Sequence, residues 1–135
     1  MEFDVRTLLH EDYDALVDMW KDWGWTPPSR EMLPNNGEGG VMILDGDIPV
    51  CAGFAYVTNS QIAWLEFIIS NKKYKKKPQR SDAIILLIDT LTNICRNAGF
   101  KYVFSSLKHK GLVKAYEAVG YTRGDINSIE MIKIL

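Results

Sequence analysis

The stretch that most constrains the fold is residues 64–83, because it joins a strand pattern, a cationic loop and a helix pattern in series. It opens with the apolar run WLEFII, whose aromatic and β-branched residues are typical of a mostly buried strand. Apolar residues recur at helical spacing over residues 83–94. Between these elements lie six cations: Lys72, Lys73, Lys75, Lys76, Lys77 and Arg80. The backbone N–H groups and dipole of a helix N-terminus favour an anion, so the series predicts a phosphate site.

Composition places the chain among ordinary folded domains. Its 135 residues correspond to one domain, residues 1–135, and 47% apolar residues suffice for a packed core. The net charge of −1 and the lack of stacking aromatics beyond Tyr74 in the loop argue against nucleic-acid binding. No apolar run reaches 18 residues, so we expect no membrane span. The acidic N-terminal stretch lacks the layout of a signal peptide, which predicts a cytoplasmic protein.

The cysteines and histidines give no sign of a disulfide or a metal centre. Cys51 and Cys95 fall on a predicted strand and a predicted helix, and without an export signal they are expected to be buried thiols. Adding His10 and His109 gives a spacing that fits no common zinc pattern. We therefore predict no metal site.

The N-terminal half reads as a strand, a helix and two further strands. Alternation predicts a strand over residues 2–8, and helical spacing predicts a helix over residues 11–22. A long connection over residues 24–40 contains one short helical turn at residues 29–33. Strands at 41–44 and 48–58 flank an Asp-Gly turn, and Gly53 inside the second indicates a bulge or a close backbone approach.

The C-terminal half continues the pattern. Gly99 ends the helix, and residues 102–104 predict a strand parallel to the Trp64 strand, joined to it by a right-handed crossover. A further short helix carries Tyr116 and closes at Gly120, and residues 128–135 predict a final strand. The order of elements favours an α+β domain, with a mixed, mostly antiparallel central sheet and flanking helices.

Three local features, together with this order, resemble the GNAT superfamily of N-acetyltransferases. The loop letters ISN, YK and SDA resemble the pyrophosphate loop of that family, AGFKYV resembles its helix end and next strand, and AYEAVGY resembles its Tyr-Glu-x-x-Gly-Phe ending. The loop departs from the family signature, because it has about three extra residues and lacks both glycines. Ser81 stands at the first glycine position and Ala83 at the second.

The resemblance implies acetyl-CoA as cosubstrate. The loop and the following helix would bind its phosphates, and the strand edge would pair with the pantetheine arm. The expected contact residues are Ile68, Ile69, Ser70, Lys75, Lys76, Lys77, Gln79, Arg80, Ser81, Asp82 and Ala83. The family often places a polar residue after the next strand, and Ser105, Ser106 and Lys108 could each fill that position.

Two residues are candidates for proton transfer. Glu66 is the one charged residue in the central strand and could accept the proton of an amine, although alternation does not exclude that it faces solvent. Tyr116 resembles the family tyrosine that donates a proton to the CoA sulfur, although a plain core tyrosine is the alternative. The aromatic group Trp20, Trp23 and Trp25 could pack the core or form a wall for an amine acceptor.

Two functional hypotheses follow. The first is an N-acetyltransferase that moves an acetyl group from acetyl-CoA to a primary amine of a small molecule or a peptide. The alternative is a non-catalytic GNAT-like domain that binds CoA or a protein partner. A monomer and a homodimer are both compatible with the sequence.

Overall fold

The computed structural model describes residues 2–135 and contains five strands and three α-helices. The strands are β1 (Asp4–Thr7), β2 (Gly40–Asp45), β3 (Ile48–Val57), β4 (Ile62–Ser70) and β5 (Tyr102–Phe104). The helices are α1 (Tyr13–Asp22), α2 (Lys77–Asn97) and α3 (Lys110–Ala118).

All five strands form a single sheet in sequence order, from β1 to β5. Each neighbouring pair from β1 to β4 is antiparallel, and β4 and β5 are parallel, which confirms the predicted mixed, mostly antiparallel sheet. Strand β5 is short and pairs only with the first part of β4, where Trp64 lies opposite Phe104. Beyond Trp64, β4 continues to Ser70 with its outer edge open. This splayed edge determines where an extended ligand can approach the sheet.

Helices cover both faces of the sheet. On one face α2 packs against the middle strands, and α3 adds Ala115 and Tyr116 to that cluster. On the other face α1 contributes Leu16, Met19 and Trp20, together with Leu33 from the long connection. The apolar periodicity of α1 and α2 follows from these contacts, since each of the two helices buries one apolar stripe.

A bulge interrupts β4 at Phe67. The pairs Ala52↔Ile69 and Phe54↔Glu66 leave one residue of β3 opposite two residues of β4. Phe67 takes the extra step with φ +55°, a left-handed conformation that a bulky aromatic residue rarely adopts. The bulge puts Phe67 on the α1 face, where it packs edge-on against Trp20 at 6.4 Å between ring centroids.

Gly53 is the β3 residue opposite this bulge. A β-carbon at position 53 would overlap Cδ1 of Ile68 and would lie 3.2 Å from Cδ1 of Leu91. The missing side chain therefore leaves room for Ile68 beneath α2. The structure confirms the bulge predicted at this glycine, with the extra residue on β4, and the close contacts at Gly53 are with side chains rather than with backbone.

The long connection between α1 and β2 is held against the α1 face. It forms short 3₁₀ turns at Arg30–Met32 and Pro34–Gly37, the first of which was predicted. The hydroxyl of Tyr13 donates to the carbonyl oxygen of Pro28 at 2.7 Å, and that of Tyr56 donates to the carbonyl oxygen of Met32 at 2.7 Å. These bonds fix a segment whose own secondary structure is slight.

Two predictions about the elements are wrong. Helix α2 begins at Lys77 rather than at residue 83, because Pro78 fits the first turn of a helix, where its missing N–H is not needed. The strand predicted over residues 128–135 is absent from the sheet of the described chain, and its apolar residues are at least 75% exposed. Alternation stabilises a strand only when a neighbouring strand pairs with it, and this segment has no such pairing.

Cys51 and Cys95 are buried free thiols, as predicted, and burial raises the pKa of each.

No helix within residues 2–135 is both long and apolar enough to cross a membrane. The same residues contain no group of three His, Cys, Asp or Glu side chains placed to hold a metal ion.

Candidate active site

Glu66 lies on the α1 face of β4, immediately before the bulge. It pairs across the sheet with Phe54, a core residue of that face, so the two side chains point the same way. The side chain is half-buried, and burial raises the pKa of the carboxyl group. The charge of Glu130 raises the pKa of Glu66 further, while a hydrogen bond from Trp64 and the charge of Lys108 oppose the shift. A carboxylate in these surroundings is a stronger base than an exposed one.

Tyr116 approaches the same region from the other face. Only 2% of the residue is exposed, and its hydroxyl lies 2.9 Å from Oγ of Ser105, the residue after β5. Ser105 Oγ in turn donates to the carbonyl oxygen of Leu65 at 2.7 Å. The contact thus links α3, the end of β5 and the open part of β4.

The two candidate proton-transfer residues are electrostatically coupled. Burial is the main cause that raises the pKa of Tyr116, and the charge of Glu66 raises it further. Tyr56, on the Glu66 face, has its pKa raised by burial and by Glu66 as well. Glu66 and the Tyr116 hydroxyl therefore flank the point where β4 and β5 separate, one on each face of the sheet.

The far end of the open β4 edge carries a side-chain contact. The Asn71 N–H donates to the carbonyl oxygen of Val50 on β3 at 2.8 Å. In the trans peptide plane the Ser70 carbonyl must point the opposite way, toward the open edge. The indole N–H of Trp23 donates to that carbonyl oxygen at 2.8 Å.

Trp23 belongs to an aromatic cluster beside this edge. Trp25 stacks on it with ring centroids 5.9 Å apart, and His109 packs against Trp25 at 5.1 Å. The Lys72 ammonium lies 5.2 Å from the centre of the Trp23 ring, and the Arg80 guanidinium 5.8 Å. Trp20 by contrast is buried in the core of the α1 face. The predicted tryptophan group is thus divided between core packing and the candidate site.

The start of α2 has the chemistry of an anion site. No side chain caps the helix, so the N–H groups of Lys76, Lys77 and Gln79 have no helical carbonyl to bond, and Pro78 has no N–H. The first helical bond runs from the Arg80 N–H to the Lys76 carbonyl at 2.8 Å. The first turn also contains no acidic residue. These donors and the neighbouring lysines fit a pyrophosphate.

The six cations of the loop divide into structural and unpaired ones. Lys72 and Lys73 contact Asp22 at the end of α1, at 3.4 Å to its carbonyl oxygen and 3.6 Å to its carboxylate. Arg80 donates to the Tyr74 carbonyl at 3.2 Å, and Lys76 lies 3.8 Å from Asp45. Within the part of the chain that the structure describes, Lys75 and Lys77 are the loop cations without such a contact.

The other predicted contact residues lie around these two ends. Ser81 and Asp82 are exposed and Gln79 is half-buried, whereas Ala83 is fully buried on the face of α2 that packs against the sheet. Because α2 starts at Lys77, the N–H groups of Ser81, Asp82 and Ala83 lie inside the helix. Ile68 and Ile69 pack on opposite faces of the sheet, and their backbone follows the bulge. Whether any of these residues binds a cofactor stays a prediction.

Sequence reasoning missed two contacts. Ser105 was one of three polar residues after β5, and no local pattern distinguishes it from Ser106. Trp23 was expected either in the core or at an acceptor wall, and nothing in the sequence indicates its bond to Ser70. Both contacts join residues that are 40 or more positions apart in the chain.

The fold is shared with solved acetyltransferases. A glucosamine-6-phosphate N-acetyltransferase from Arabidopsis thaliana has a TM-score of 0.68 and 13% identity, covering 98% of this chain and 100% of that one. AAC(6')-Iy, in complex with a CoA bisubstrate analogue, has a TM-score of 0.67 and 14% identity, and the match covers 99% of this chain and 100% of that one. An N-acetyltransferase from Escherichia coli that acts on the alanine of ribosomal protein S18 has a TM-score of 0.68 and 16% identity. The match covers 92% of this chain and 80% of that one.

No family model and no curated protein matches the chain. The likeness to these structures at low identity concerns the backbone over nearly the whole length. This likeness includes the open mixed sheet of five strands and the three helices. This chain has the fold of the GNAT N-acetyltransferases.

Proposed function

We propose that the protein is an N-acetyltransferase that moves an acetyl group from acetyl-CoA to a primary amine of a small molecule or a peptide. The observation that carries the proposal is the placement of Glu66 and Tyr116 beside the point where β4 and β5 separate: Glu66 follows shortly after the last residue of β4 that pairs with β5, and the Tyr116 hydroxyl contacts Ser105 at the end of β5. The proposal includes a cytoplasmic location, and it is compatible with a monomer or a homodimer.

The parts of the site fit the cosubstrate in order along β4. The uncapped start of α2, with Lys75 and Lys77, would bind the phosphates. The open edge past Trp64 would pair with the amide groups of the pantetheine arm, as an added strand does. Bound acetyl-CoA supplies the acetyl group as a thioester.

The protein residues have three tasks in the transfer. Glu66, whose pKa is raised, takes the proton of the attacking amine directly or through a water. The backbone N–H of Ile68, near the bulge, stabilises the carbonyl oxygen as it gains charge, whereas the N–H of Ile69 faces Ala52 on β3. Tyr116 donates its proton to the departing sulfur. Trp23, Trp25 and His109 would line the acceptor side, where aromatic faces suit a cationic amine.

Binding is tested first, by calorimetry with CoA and acetyl-CoA. Charge reversal at Lys75 and Lys77 should weaken binding, and more so at low salt, because both cations are exposed and make no ion pair in the described chain. Lys101→Glu, at the opposite end of α2, is the matched control and should bind as the parent does. Equal binding by all variants would place the site elsewhere.

Activity is tested next by a thiol-release screen over amines and peptide N-termini. The alternative is a non-catalytic domain that binds CoA or a protein partner. One observation favours its protein-interaction form: Trp23 occupies the Ser70 carbonyl, which the pantetheine arm of CoA would need. A protein that binds CoA but acetylates no acceptor in a broad screen would support that alternative.

A further inference from the structure

The hydrogen bonds around Ser105 have a fixed direction. A serine hydroxyl carries one proton, and the Leu65 carbonyl oxygen can only accept. Because Ser105 Oγ donates to Leu65 at 2.7 Å, it has no second proton for Tyr116. The 2.9 Å contact between Ser105 and Tyr116 must therefore be a donation from the tyrosine hydroxyl. The hydrogen bonds thus run from the Tyr116 hydroxyl to Ser105 and from Ser105 to the Leu65 carbonyl oxygen.

This direction has a consequence for a tyrosine that is to act as an acid. In the structure the Tyr116 proton points at Ser105 and is not available to any other acceptor. The phenol is almost fully buried, and burial opposes its ionisation. Donation to a sulfur therefore requires the Tyr116 O–H to turn, and it leaves a negative oxygen in an apolar place.

We propose that Ser105 is the positioning residue of this site, which holds the Tyr116 hydroxyl in place and stabilises the tyrosinate when Tyr116 gives up its proton. The proposal rests on the proposed function. In the step, the Tyr116 O–H bond breaks and an S–H bond forms. The Ser105 hydroxyl rotates from the Leu65 carbonyl to the negative Tyr116 oxygen. The amine proton taken by Glu66 returns to Tyr116 through solvent and closes the balance.

The surroundings agree with this role. Among the described residues, Ser105 is the side chain hydrogen-bonded to the Tyr116 hydroxyl. A Ser105 hydroxyl that has turned to donate to the ionised oxygen lowers the pKa of Tyr116 against the effect of burial. Tyr121 packs edge-on against the Tyr116 ring at 4.9 Å, but its own hydroxyl lies 2.6 Å from Thr92. Ser105 therefore stabilises the negative oxygen, and Tyr121 positions the ring.

A double-mutant cycle tests the coupling. Ser105→Ala should lower kcat about 10- to 100-fold, the factor that corresponds to losing a hydrogen bond to a charged group, with KM for acetyl-CoA little changed. In the Tyr116→Phe background the same substitution should have almost no further effect, because the partner is already gone. An equal loss in both backgrounds would overturn the proposal, since Ser105 would then act independently of Tyr116.

A second measurement does not need turnover. The ultraviolet absorbance of bound CoA thiolate, at one fixed pH, should be higher in Ser105→Ala than in the parent, because a tyrosinate without the Ser105 donor is less stable and more of the proton stays on Tyr116 instead of the sulfur. In the Tyr116→Phe background, Ser105→Ala should leave this absorbance unchanged. Ser105→Thr should restore the parent absorbance, and Ser106→Ala is the matched control at the exposed neighbouring serine. If Ser105→Ala does not fold, Ser105→Cys keeps the volume and weakens the donor. Parent-like absorbance in the Ala or Cys variant would overturn the proposal for Ser105 alone, whereas a parent that binds no CoA would contradict the proposed function as well.

Discussion

The indole N–H of Trp23 donates to the carbonyl oxygen of Ser70 over 2.8 Å, at the part of the β4 edge that β5 does not cover. An extended ligand that pairs with this edge needs the same carbonyl. On the proposed function, the indole N–H therefore holds the position that an amide N–H of the pantetheine arm would take.

Replacing this tryptophan should strengthen binding. Trp23→Phe keeps an aromatic ring against Trp25 and removes the competing N–H, so CoA should bind about 2- to 12-fold more tightly, the range of one net hydrogen bond. Calorimetry measures the change. Trp25→Phe is the control, because Trp25 belongs to the same stack and makes no bond to Ser70. Weaker or unchanged binding in Trp23→Phe would mean that the indole does not compete.

The phenol of Tyr116 should matter for the rate and little for binding. Tyr116→Phe preserves the ring that packs against Tyr121 and removes only the proton donor. We expect kcat to fall about 10²–10⁴-fold while CoA affinity stays within about twofold. Steady-state kinetics with a working acceptor, together with calorimetry, separate the two. A comparable loss of affinity would assign Tyr116 a binding role instead.

The role of Glu66 as a base should be visible in the pH profile. The carboxylate form is needed, and because the pKa of Glu66 is raised, the parent rate should climb with pH through that pKa. Glu66→Gln should lose the most activity at low pH, where the amine is mostly charged, and recover as the amine loses its proton unaided. A misfolded variant would instead stay inactive at every pH.

The Glu66 carboxyl group should also make the free energy of unfolding depend on pH, in the direction opposite to that of a salt-bridged acid. Its pKa is raised above the ordinary value of 4.5, mainly by burial, so the folded state binds more protons between the two pKa values. The free energy of unfolding therefore falls as pH rises through this window. Glu66→Gln should melt at a higher temperature than the parent at pH 7. This gain in melting temperature should vanish when the pH falls below the ordinary pKa of 4.5. A lower melting temperature at pH 7 would show that the charged form is stabilised in the fold.

Local patterns predicted most of the elements, since the apolar periodicity of β4, α1 and α2 reflects burial that the structure confirms. They could not predict the face of Glu66, because the bulge at Phe67 shifts the alternation and depends on pairing with β3. The start of α2 was misplaced because the apolar spacing begins only at Ala83, whereas the helix itself begins at Lys77 with a polar first turn. The segment 128–135 was misread because alternation does not reveal whether a neighbouring strand is present.

The candidate site was harder to predict than the fold. The two residues proposed to carry the chemistry, Glu66 and Tyr116, were chosen from their elements and from the family resemblance. The contacts of Ser105 with Leu65 and of Trp23 with Ser70 join distant parts of the chain. Such contacts follow from the register of β4 and β5, which no single stretch of sequence determines.

The empty side-chain position at Gly53 links the far side of the sheet to the site. Only a residue without a β-carbon leaves space for Ile68, and Ile68 belongs to the bulge that separates Glu66 from the rest of β4. A methyl group added at position 53 would push on that bulge without touching any ligand. In an evolving lineage or a mutant library, positions 53 and 68 should therefore change as a pair, and a smaller residue at 68 should be what makes alanine at 53 tolerable.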